Sequence, residues 1–472
     1  MNTSKPTEKP LGWGKSILWL VVGVVCFHLA YTSLKWSAAG LFIFGYALAL
    51  VRLTDQPTVR RAFYFGLTAG FLCAAPQLFF FWKVFGAAAI VLWLVFAFWI
   101  GLFAAIVCGS IRRWGKVKGL WLVPVVWTGI EYFRSELYYL KFSWLNAGDV
   151  FPNYLIPPFL KYGVYGIGFL IFATAIVVFS KAVIRQRIAW FLMVLFFLLV
   201  FAYFLGFIVA ARYETPKPPL SIVGIQLEFP PAGIIPNALN NAFKKHPDAQ
   251  IFVLSEYTLG GGVPDSLRNW CREHSRFLVV GGEDIVTKDV YYDTAFVVGT
   301  NGETVFKQAK CVPIQFFRDG LPAREQKVWN SPWGKIGICI CYDLSYTRVT
   351  DELLRQGAQL LIVPTMDVDD WGRHEHELHS RIAPVRAAEY GIPIFRVASS
   401  GVSQAITGYG NVVAKTSIGG VDEILTAKLR LPMCGSLPLD RLLAPICVVV
   451  TGIVTAALLF LTWRDRHTAK KS

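Results

Sequence analysis

Eight apolar runs, each at or near the length that crosses a lipid bilayer, constrain this 472-residue chain more than any other feature. A hydrocarbon core needs roughly 20 helical residues. The runs lie near Ser16–Leu34, Ala38–Leu53, Ala62–Trp82, Ala87–Ile111, Gly119–Phe133, Leu160–Phe179, Ala189–Val209 and Leu442–Trp463. The second and fifth are the shortest. Composition agrees, with 54% hydrophobic and only 16% charged residues, where a soluble protein carries about a quarter charged. No small-residue cleavage site follows the first run and further runs come after it, so it reads as a retained anchor.

Basic residues give the expected orientation. Lys5, Lys9 and Lys15 precede the first run, and Arg52, Arg60 and Arg61 lie between the second and third. Arg112, Arg113, Lys116 and Lys118 follow the fourth, Lys181, Arg185 and Arg187 the sixth, and Arg464, Arg466, Lys470 and Lys471 the last. With eight spans every cluster falls on one face, as the positive-inside rule requires of the cytoplasmic side. The net charge of +15 is then mostly topology, with attraction to anionic lipid secondary. Binding nucleic acid would need a basic patch on a soluble domain, and no such partner is expected. A transporter would need a set of intramembrane charges, which the runs lack.

Three domains follow: a membrane domain over 1–212 with about seven helices, an extracytoplasmic domain over 213–440, and a final helix with a basic tail over 441–472. Pro216, Pro218 and Pro219 mark the change from continuous apolar sequence to short β-like runs separated by helical stretches. Strands are expected over Ser221–Leu227, Gln250–Leu254, Phe277–Gly281, Thr294–Val298, Lys335–Cys341, Gln359–Val363, Ile392–Val397 and Ile424–Leu429. Helices are expected over Asn237–His246, Asp265–His274, Thr347–Gln356 and a longer stretch around Glu375–Glu389. Such alternation argues for a layered α/β domain.

Of nine cysteines, Cys26, Cys73, Cys108 and Cys447 fall in apolar runs and read as core. Cys271, Cys311, Cys339, Cys341 and Cys434 fall in the polar domain without framework spacing. An odd number there leaves at least one thiol unpaired within the domain. Three strand ends carry chemistry. Leu254-Ser255-Glu256-Tyr257 delivers a carboxylate, the stretch from Asn301 to Lys310 an amine, and Gly337-Ile338-Cys339-Ile340-Cys341-Tyr342-Asp343 a thiol followed by a carboxylate. Held together, these could form a nucleophile, its base and a cationic oxyanion stabiliser. Cys339, two residues before Cys341, is expected to face the same side of a regular strand.

The order Glu256, Lys310, Cys341 resembles the nitrilase superfamily, with Ile340-Cys341-Tyr342-Asp343 as its nucleophile step and Val223-Gly224-Ile225-Gln226 similar to its first strand. The succession Gly357-Ala358, Trp371, His379-x-Arg381, Arg386-Ala387-Ala388-Glu389, Gly391-Ile392-Pro393, Arg396 and Gly401-x-Ser403 resembles one branch, the apolipoprotein N-acyltransferases. So do Trp127…Glu131-Tyr132-Phe133-Arg134, Phe142-Ser143-Trp144-Leu145-Asn146-Ala147-Gly148 and Tyr162-Gly163-x-x-Gly166-x-Gly168-Phe169 in the membrane part. The resemblance implies an αββα sandwich, no cofactor, and a two-step reaction in a bacterial inner membrane with the catalytic domain on the periplasmic side. Glu256 would deprotonate Cys341, and the thiolate would take an acyl chain from a membrane phospholipid. The N-terminal amine of a diacylglyceryl-cysteine apolipoprotein would then accept it. Lys310 and the Tyr342 N–H would stabilise the oxyanion, with Asp343 and Asp319 in support.

Counting forward from Gly302 selects Lys310, whereas counting back from Val312-Pro313 selects Gln308, and Lys307 is a further alternative. The requirement that an amine reach the oxyanion favours Lys310. Ser255 stands where the family carries proline, and aspartates at 319 and 343 stand where it carries longer acids. Trp144, Phe316, Phe317, Trp371 and His379 are the candidate substrate contacts, although tryptophan also favours the membrane interface for its own reasons. His374 and His376 lack the partner four residues on that a His-Glu-x-x-His zinc site requires, so no metal is expected. Two other functions remain to be weighed: a membrane-tethered amidase with water as acceptor, and a catalytically inactive sensor or binding module.

Overall fold

The computed structural model describes residues 10–32, 37–151, 161–179, 218–419 and 423–469, which fall into two compact units. One unit gathers the N-terminal helices and the C-terminal helix Asp440–Ala469. Its N-terminal helices are α1 (Trp13–Ala30), α2 (Phe42–Leu53), α3 (Val59–Gln77), α4 (Ala89–Trp114), α5 (Val123–Tyr132) and α6 (Val164–Phe179). Among the described residues, Trp13–Ala30, Phe80–Trp114 and Asp440–Thr468 are long and apolar enough to cross a membrane. Ala39–Leu53 and Val164–Val177 are shorter apolar helices. The run expected at Ala189–Val209 lies outside the described residues.

Small residues let the longer helices of this unit approach. A Cβ on Gly66 of α3 would lie 2.7 Å from the Ile100 carbonyl of α4, and one on Gly70 2.7 Å from Ala97 Cα. Two glycines four residues apart therefore form one face of the α3–α4 contact, the small-xxx-small device of membrane helices. The fifth expected run divides into Lys116–Trp121 and α5, followed by a π-helical turn over Phe133–Leu137. That turn buries Arg134, which donates to the Trp144 carbonyl at 2.9 Å and to Asn146 Oδ1 at 2.7 Å. Glu131 Oε1 accepts the Ala147 N–H at 2.8 Å. The two polar motifs thus bind one another, leaving no charged side chain of the pair facing lipid.

The second unit holds two six-stranded sheets. The first has the order β12-β1-β2-β3-β4-β5 and the second β11-β10-β9-β8-β7-β6. In the first, β1 is Leu220–Ile225, β2 Ile251–Leu254, β3 Phe277–Thr287, β4 Val290–Val298, β5 Thr304–Ala309 and β12 Ile424–Leu429. In the second, β6 is Val328–Ser331, β7 Gly334–Ile338, β8 Leu360–Thr365, β9 Ile394–Ala398, β10 Gln404–Ile406 and β11 Val412–Lys415. The centre of each sheet is parallel, β1 with β2 and β3, and β7 with β8 and β9, while the flanking strands are antiparallel.

Period-two burial explains the layering. Leu220, Ile222, Ile251 and Val253 meet Ile336, Ile338, Leu360 and Ile362 in a shared core between the sheets. The alternate residues Val223, Ile225, Phe252 and Leu254 pack under α7 (Ile234–Lys245) and α8 (Asp265–His274). Leu361, Val363 and Ile394 pack under α9 (Thr347–Arg355) and α11 (Ile382–Tyr390). Strands apolar on both faces are what a sheet covered on both sides demands, and the result is an αββα sandwich.

Differences from the expected elements have local causes. The Glu375–Glu389 helix is two helices, α10 (Arg373–Ser380) and α11. Pro384 lacks an N–H and its ring crowds the carbonyl four residues back, Ser380, where α10 ends. Cys341 and Cys339 do not share a face: the strand stops at Ile338, Cys341 turns left-handed at φ 51°, and the two cysteines join different cores. The short strands β5, β6, β10 and β11 carry polar or half-buried positions that hid their pattern. Ile362, fully buried between the sheets, should cost about 2–5 kcal/mol when cut to alanine. Thermal unfolding of the detergent-solubilised chain, followed by intrinsic tryptophan fluorescence, would read that loss.

Candidate active site

The parallel strands β2 and β7 end on carboxylate and thiol, and the antiparallel β5 ends on the amine. Glu256 follows β2 by one residue past Ser255, whose hydroxyl bonds the Leu227 carbonyl at 2.7 Å and fixes the strand exit. Lys310 follows β5 directly. Its N–H donates to the Asp293 carbonyl on β4 at 2.8 Å, and its own carbonyl accepts from Ala323 at 2.8 Å, so both sides of its peptide are held. Cys341 opens the 3-10 turn Cys341–Ser345 after β7. A left-handed φ is costly for a side chain of this kind and marks a constrained position.

Lys310 is completely buried, and its Nζ donates to Glu256 Oε1 at 2.7 Å and to Asp319 Oδ2 at 2.8 Å. Asp293 Oδ2 lies 3.5 Å away. Burial pulls the ammonium toward neutrality, but the carboxylates of Glu256 and Asp319 outweigh it and raise the group well above its ordinary value. It is therefore a fixed cation at neutral pH. Lys307 lies elsewhere, exposed and paired with Asp284, and Gln308 bonds the carbonyls of Ala309 and Glu325. Of the three register alternatives, the structure brings Lys310 alone against Glu256.

Glu256 Oε2 accepts the Met366 N–H at 2.6 Å, and the Met366 carbonyl accepts the Cys341 thiol at 3.7 Å. The backbone of one residue, Met366, thus touches both Glu256 and the thiol. Burial first, then the Glu256 charge, pushes the Cys341 thiol well above its usual value, with Lys310 opposing. At rest the group is a thiol in need of a base, and Glu256 lies beside it to serve. Tyr342 is the next residue in the turn, its ring 4.9 Å from that of Tyr346.

Asp319 accepts from Lys310, from the Ile314 N–H at 2.6 Å and from the Tyr257 hydroxyl at 2.9 Å. Burial and the neighbouring carboxylates of Asp293 and Asp319 raise Tyr257 far above its ordinary value, so it stays a phenol. Asp343 has another task. It accepts the N–H groups of Cys311 and Val312, at 3.0 and 2.7 Å, and of Ile340 at 3.3 Å. Burial pushes its carboxyl up to about 6 against those three bonds, leaving an ionised acceptor at neutral pH that clamps the backbone after Lys310.

The substrate-contact candidates lie on several elements. Phe316 and Phe317 are exposed on the loop that carries Asp319. Trp371 ends a short turn over Asp369–Trp371. His379 is held at 2.7 Å from Asp367, the residue after Met366, which Arg396 also grips at 2.6 Å. Trp144 belongs to the helical unit, where it packs on Phe80 and Phe81. Asp293, Tyr257 and the backbone of Met366 are the site groups whose part the sequence reading did not assign, although the segment Met366–Trp371 is a candidate lining for an acyl chain by sequence. Asp293 sits one residue outside the expected strand Thr294–Val298, and a carboxylate opening an apolar strand was the available signal.

Two carboxylate groupings could accommodate a cation by spacing: Glu256, Asp293 and Asp319, and Asp367, Glu375 and His379. In the first, the Lys310 ammonium already takes that place. In the second, Arg396 neutralises Asp367. Gly281 of β3 backs the base, since a Cβ there would lie 2.6 Å from Glu256 Cα and 2.7 Å from the Ser255 carbonyl. Gly281→Ala should shift Glu256 and slow acylation of Cys341 by an activated ester about 100-fold. Stopped-flow release of the ester's chromophore would measure it.

Comparison with known proteins adds to this geometry. The Carbon-nitrogen hydrolase family model matches residues 218–439, and the Apolipoprotein N-acyltransferase N-terminal domain model matches residues 23–177. An apolipoprotein N-acyltransferase of Geobacter metallireducens is 23% identical over 457 residues, covering 79% of this chain and 82% of that one. A deaminated glutathione amidase of Dictyostelium discoideum is 25% identical over 175 residues, covering 32% of this chain and 60% of the amidase. Among solved structures, Nit3 of Saccharomyces cerevisiae, a member of branch 10 of the nitrilase superfamily, aligns with 20% identity and a TM-score of 0.40. That alignment covers 45% of this chain and 91% of Nit3.

Proposed function

The chain belongs to the apolipoprotein N-acyltransferases of the carbon-nitrogen hydrolase superfamily, and from that premise we propose that it moves an acyl chain from a membrane phospholipid to the N-terminal amine of a diacylglyceryl-cysteine apolipoprotein. The observation that carries the reading is the buried ammonium of Lys310, held by Glu256, which shares the backbone of Met366 with the Cys341 thiol. Such a site excludes water from the attacking sulfur and presents a fixed positive charge where an oxyanion develops.

In the first half-reaction Glu256 takes the proton of Cys341, and the sulfur attacks an ester carbonyl of the phospholipid. The carbonyl electrons move onto oxygen, where Lys310 and the Tyr342 N–H stabilise them. As the tetrahedral state collapses, the C–O bond breaks, Glu256 returns the proton to the leaving alkoxide, and a lysophospholipid departs. The thioester on Cys341 is then attacked by the amine. Glu256 takes a proton from the attacking nitrogen and passes it to the departing sulfur, which restores the thiol. Asp319 fixes Lys310 from its far side, and Asp343 fixes the backbone behind it.

Transfer fits better than hydrolysis because this catalytic unit comes with the helical unit that the family's N-terminal domain model matches. Both substrates are lipids, and apolar helices are where lipids reside. The distribution of basic residues supports a bacterial inner membrane with the catalytic unit on the periplasmic face. The exposed Phe316 and Phe317, beside Asp319, suit an entrance for acyl chains.

Intact-mass measurement after incubation with phospholipid tests the reading. The parent chain should gain one acyl group and lose it to a diacylglyceryl-cysteine peptide. Cys341→Ala should gain none, Lys310→Gln should lose at least about 100-fold in adduct rate, and Lys307→Gln should acylate like the parent. Turnover of a small amide without any lipid adduct would sink the transferase and leave an amidase.

A further inference from the structure

Asp293 reaches the site from β4, fully buried, and differs from the other two acids around Lys310. Glu256 accepts from Lys310 and from the Met366 N–H. Asp319 accepts from Lys310, the Ile314 N–H and the Tyr257 hydroxyl. Neither side-chain oxygen of Asp293 has a hydrogen-bond partner among the described residues, and its nearer oxygen stands 3.5 Å from Lys310 Nζ. Its position is nevertheless close, for one oxygen each of Glu256, Asp293 and Asp319 lie within 4.8 Å of one another.

Three ionised acids around one ammonium would leave two uncompensated negative charges in a place sealed from water. Like charges that close cannot all ionise, and one acid keeps its proton. Glu256 accepts from two donors and Asp319 from three, which leaves the acid without donors as the carrier. We propose that Asp293 is a neutral carboxylic acid in the working enzyme and that its retained proton is what lets Cys341 become a thiolate. The proposal rests on Cys341 as nucleophile and Glu256 as base, but not on the identity of the acyl donor.

The charge change shows why the proton matters. With Asp293 neutral, Lys310, Glu256 and Asp319 sum to one negative charge. When Glu256 takes the Cys341 proton, those groups become neutral as the sulfur becomes negative. The total is unchanged, and the thiolate forms beside no net charge. With Asp293 ionised, the thiolate would form beside a residual negative charge and would be disfavoured. The groups facing Asp293 are Glu256 and Tyr257 after β2, Lys310 after β5, Asp319 on the following loop, and Tyr291 on its own strand. Burial, followed by the Glu256 charge, pushes its carboxyl well above the usual range, with Lys310 pulling the other way.

Two measurements on the full chain in detergent test this. In the first, Cys341 acylation by a p-nitrophenyl ester is followed against pH, with the adduct located by peptide mass spectrometry. The parent rate should fall at alkaline pH as Asp293 gives up its proton. Asp293→Asn, locked neutral, should lack the alkaline fall. Persistence of that fall in the variant, or a shift of its whole profile to lower pH as expected for removal of a negative charge, would overturn the proposal.

The second measurement needs no variant and so does not depend on the folding of Asp293→Asn. The chain carrying 13C at aspartate carboxyls is examined by infrared spectroscopy at about pH 8, well above the value near 6 of Asp343. A label-shifted carbonyl band of a protonated carboxylic acid supports a neutral Asp293, and its absence refutes it. Neither readout uses a phospholipid, so failure of the lipid reading would leave both standing.

Discussion

An ammonium group sealed from water persists only while ionised acids surround it, and Lys310 makes this requirement the constraint on which the catalytic unit depends. Its partners come from separate places in the chain: Glu256 past β2, Asp293 on β4 and Asp319 on the loop beyond β5. None is close in sequence to Glu256, and only the order of the first sheet brings β2, β3, β4 and β5 side by side. The thiol arrives from the second sheet, so the site also fixes how the two sheets face one another. Packing of Ile251 and Val253 against Ile336 and Ile338 between the sheets serves that alignment as much as stability.

Charge placement then divides the work among five acids. Glu256 touches both the ammonium and the residue whose carbonyl meets the thiol. Asp319 is saturated with donors and serves as a counter-ion. Asp293 has no donors and holds a proton. Asp343 never reaches Lys310 by hydrogen bond and works on the backbone of Cys311 and Val312 instead. Asp367 belongs to a separate pair with Arg396 and is held below the ordinary carboxylate range because that guanidinium and His379 outweigh its burial. Aspartates at 319 and 343 reach less far than glutamates would. Each takes backbone N–H groups instead, Asp319 that of Ile314 and Asp343 those of Ile340, Cys311 and Val312.

The positions of Glu256 and Cys341 were legible because each follows a run of buried β-branched or aliphatic residues, a pattern a single sequence displays. Asp265–His274 and Ile424–Leu429 were expected with the bounds observed, since caps and alternation there are local. The choice between Lys307, Gln308 and Lys310 was not local. Lys307 and Gln308 lie on β5 and Lys310 just past it, and which of them meets Glu256 depends on how β5 pairs with β4, a long-range fact. The role of Met366 was invisible for a different reason, because a backbone N–H and carbonyl carry no residue signature. Apolar runs in the helical unit were legible by length, yet length alone could not show that the stretch from Gly119 to Phe133 would divide around Leu122, just before Pro124 at the start of α5.

The backbone of Met366 links these observations into one mechanical unit. Its N–H orients the base and its carbonyl receives the thiol, so any drift of this segment would misplace both at once. The next residue prevents drift. Asp367 is locked by Arg396 and His379 through its side chain, its N–H is held by Ser399 Oγ, and its carbonyl receives both Ser399 Oγ and the Ser400 N–H. Gly401 permits this approach, as a Cβ there would lie 2.2 Å from Asp367 Oδ2. Arg396 lies on β9 and Met366 just past the end of the neighbouring β8, so the clamp is anchored in the rigid centre of the second sheet. A flexible loop could not keep an unactivated thiol, a base and a fixed cation in register. Placing the shared residue at the end of a central strand lets the sandwich core supply that rigidity.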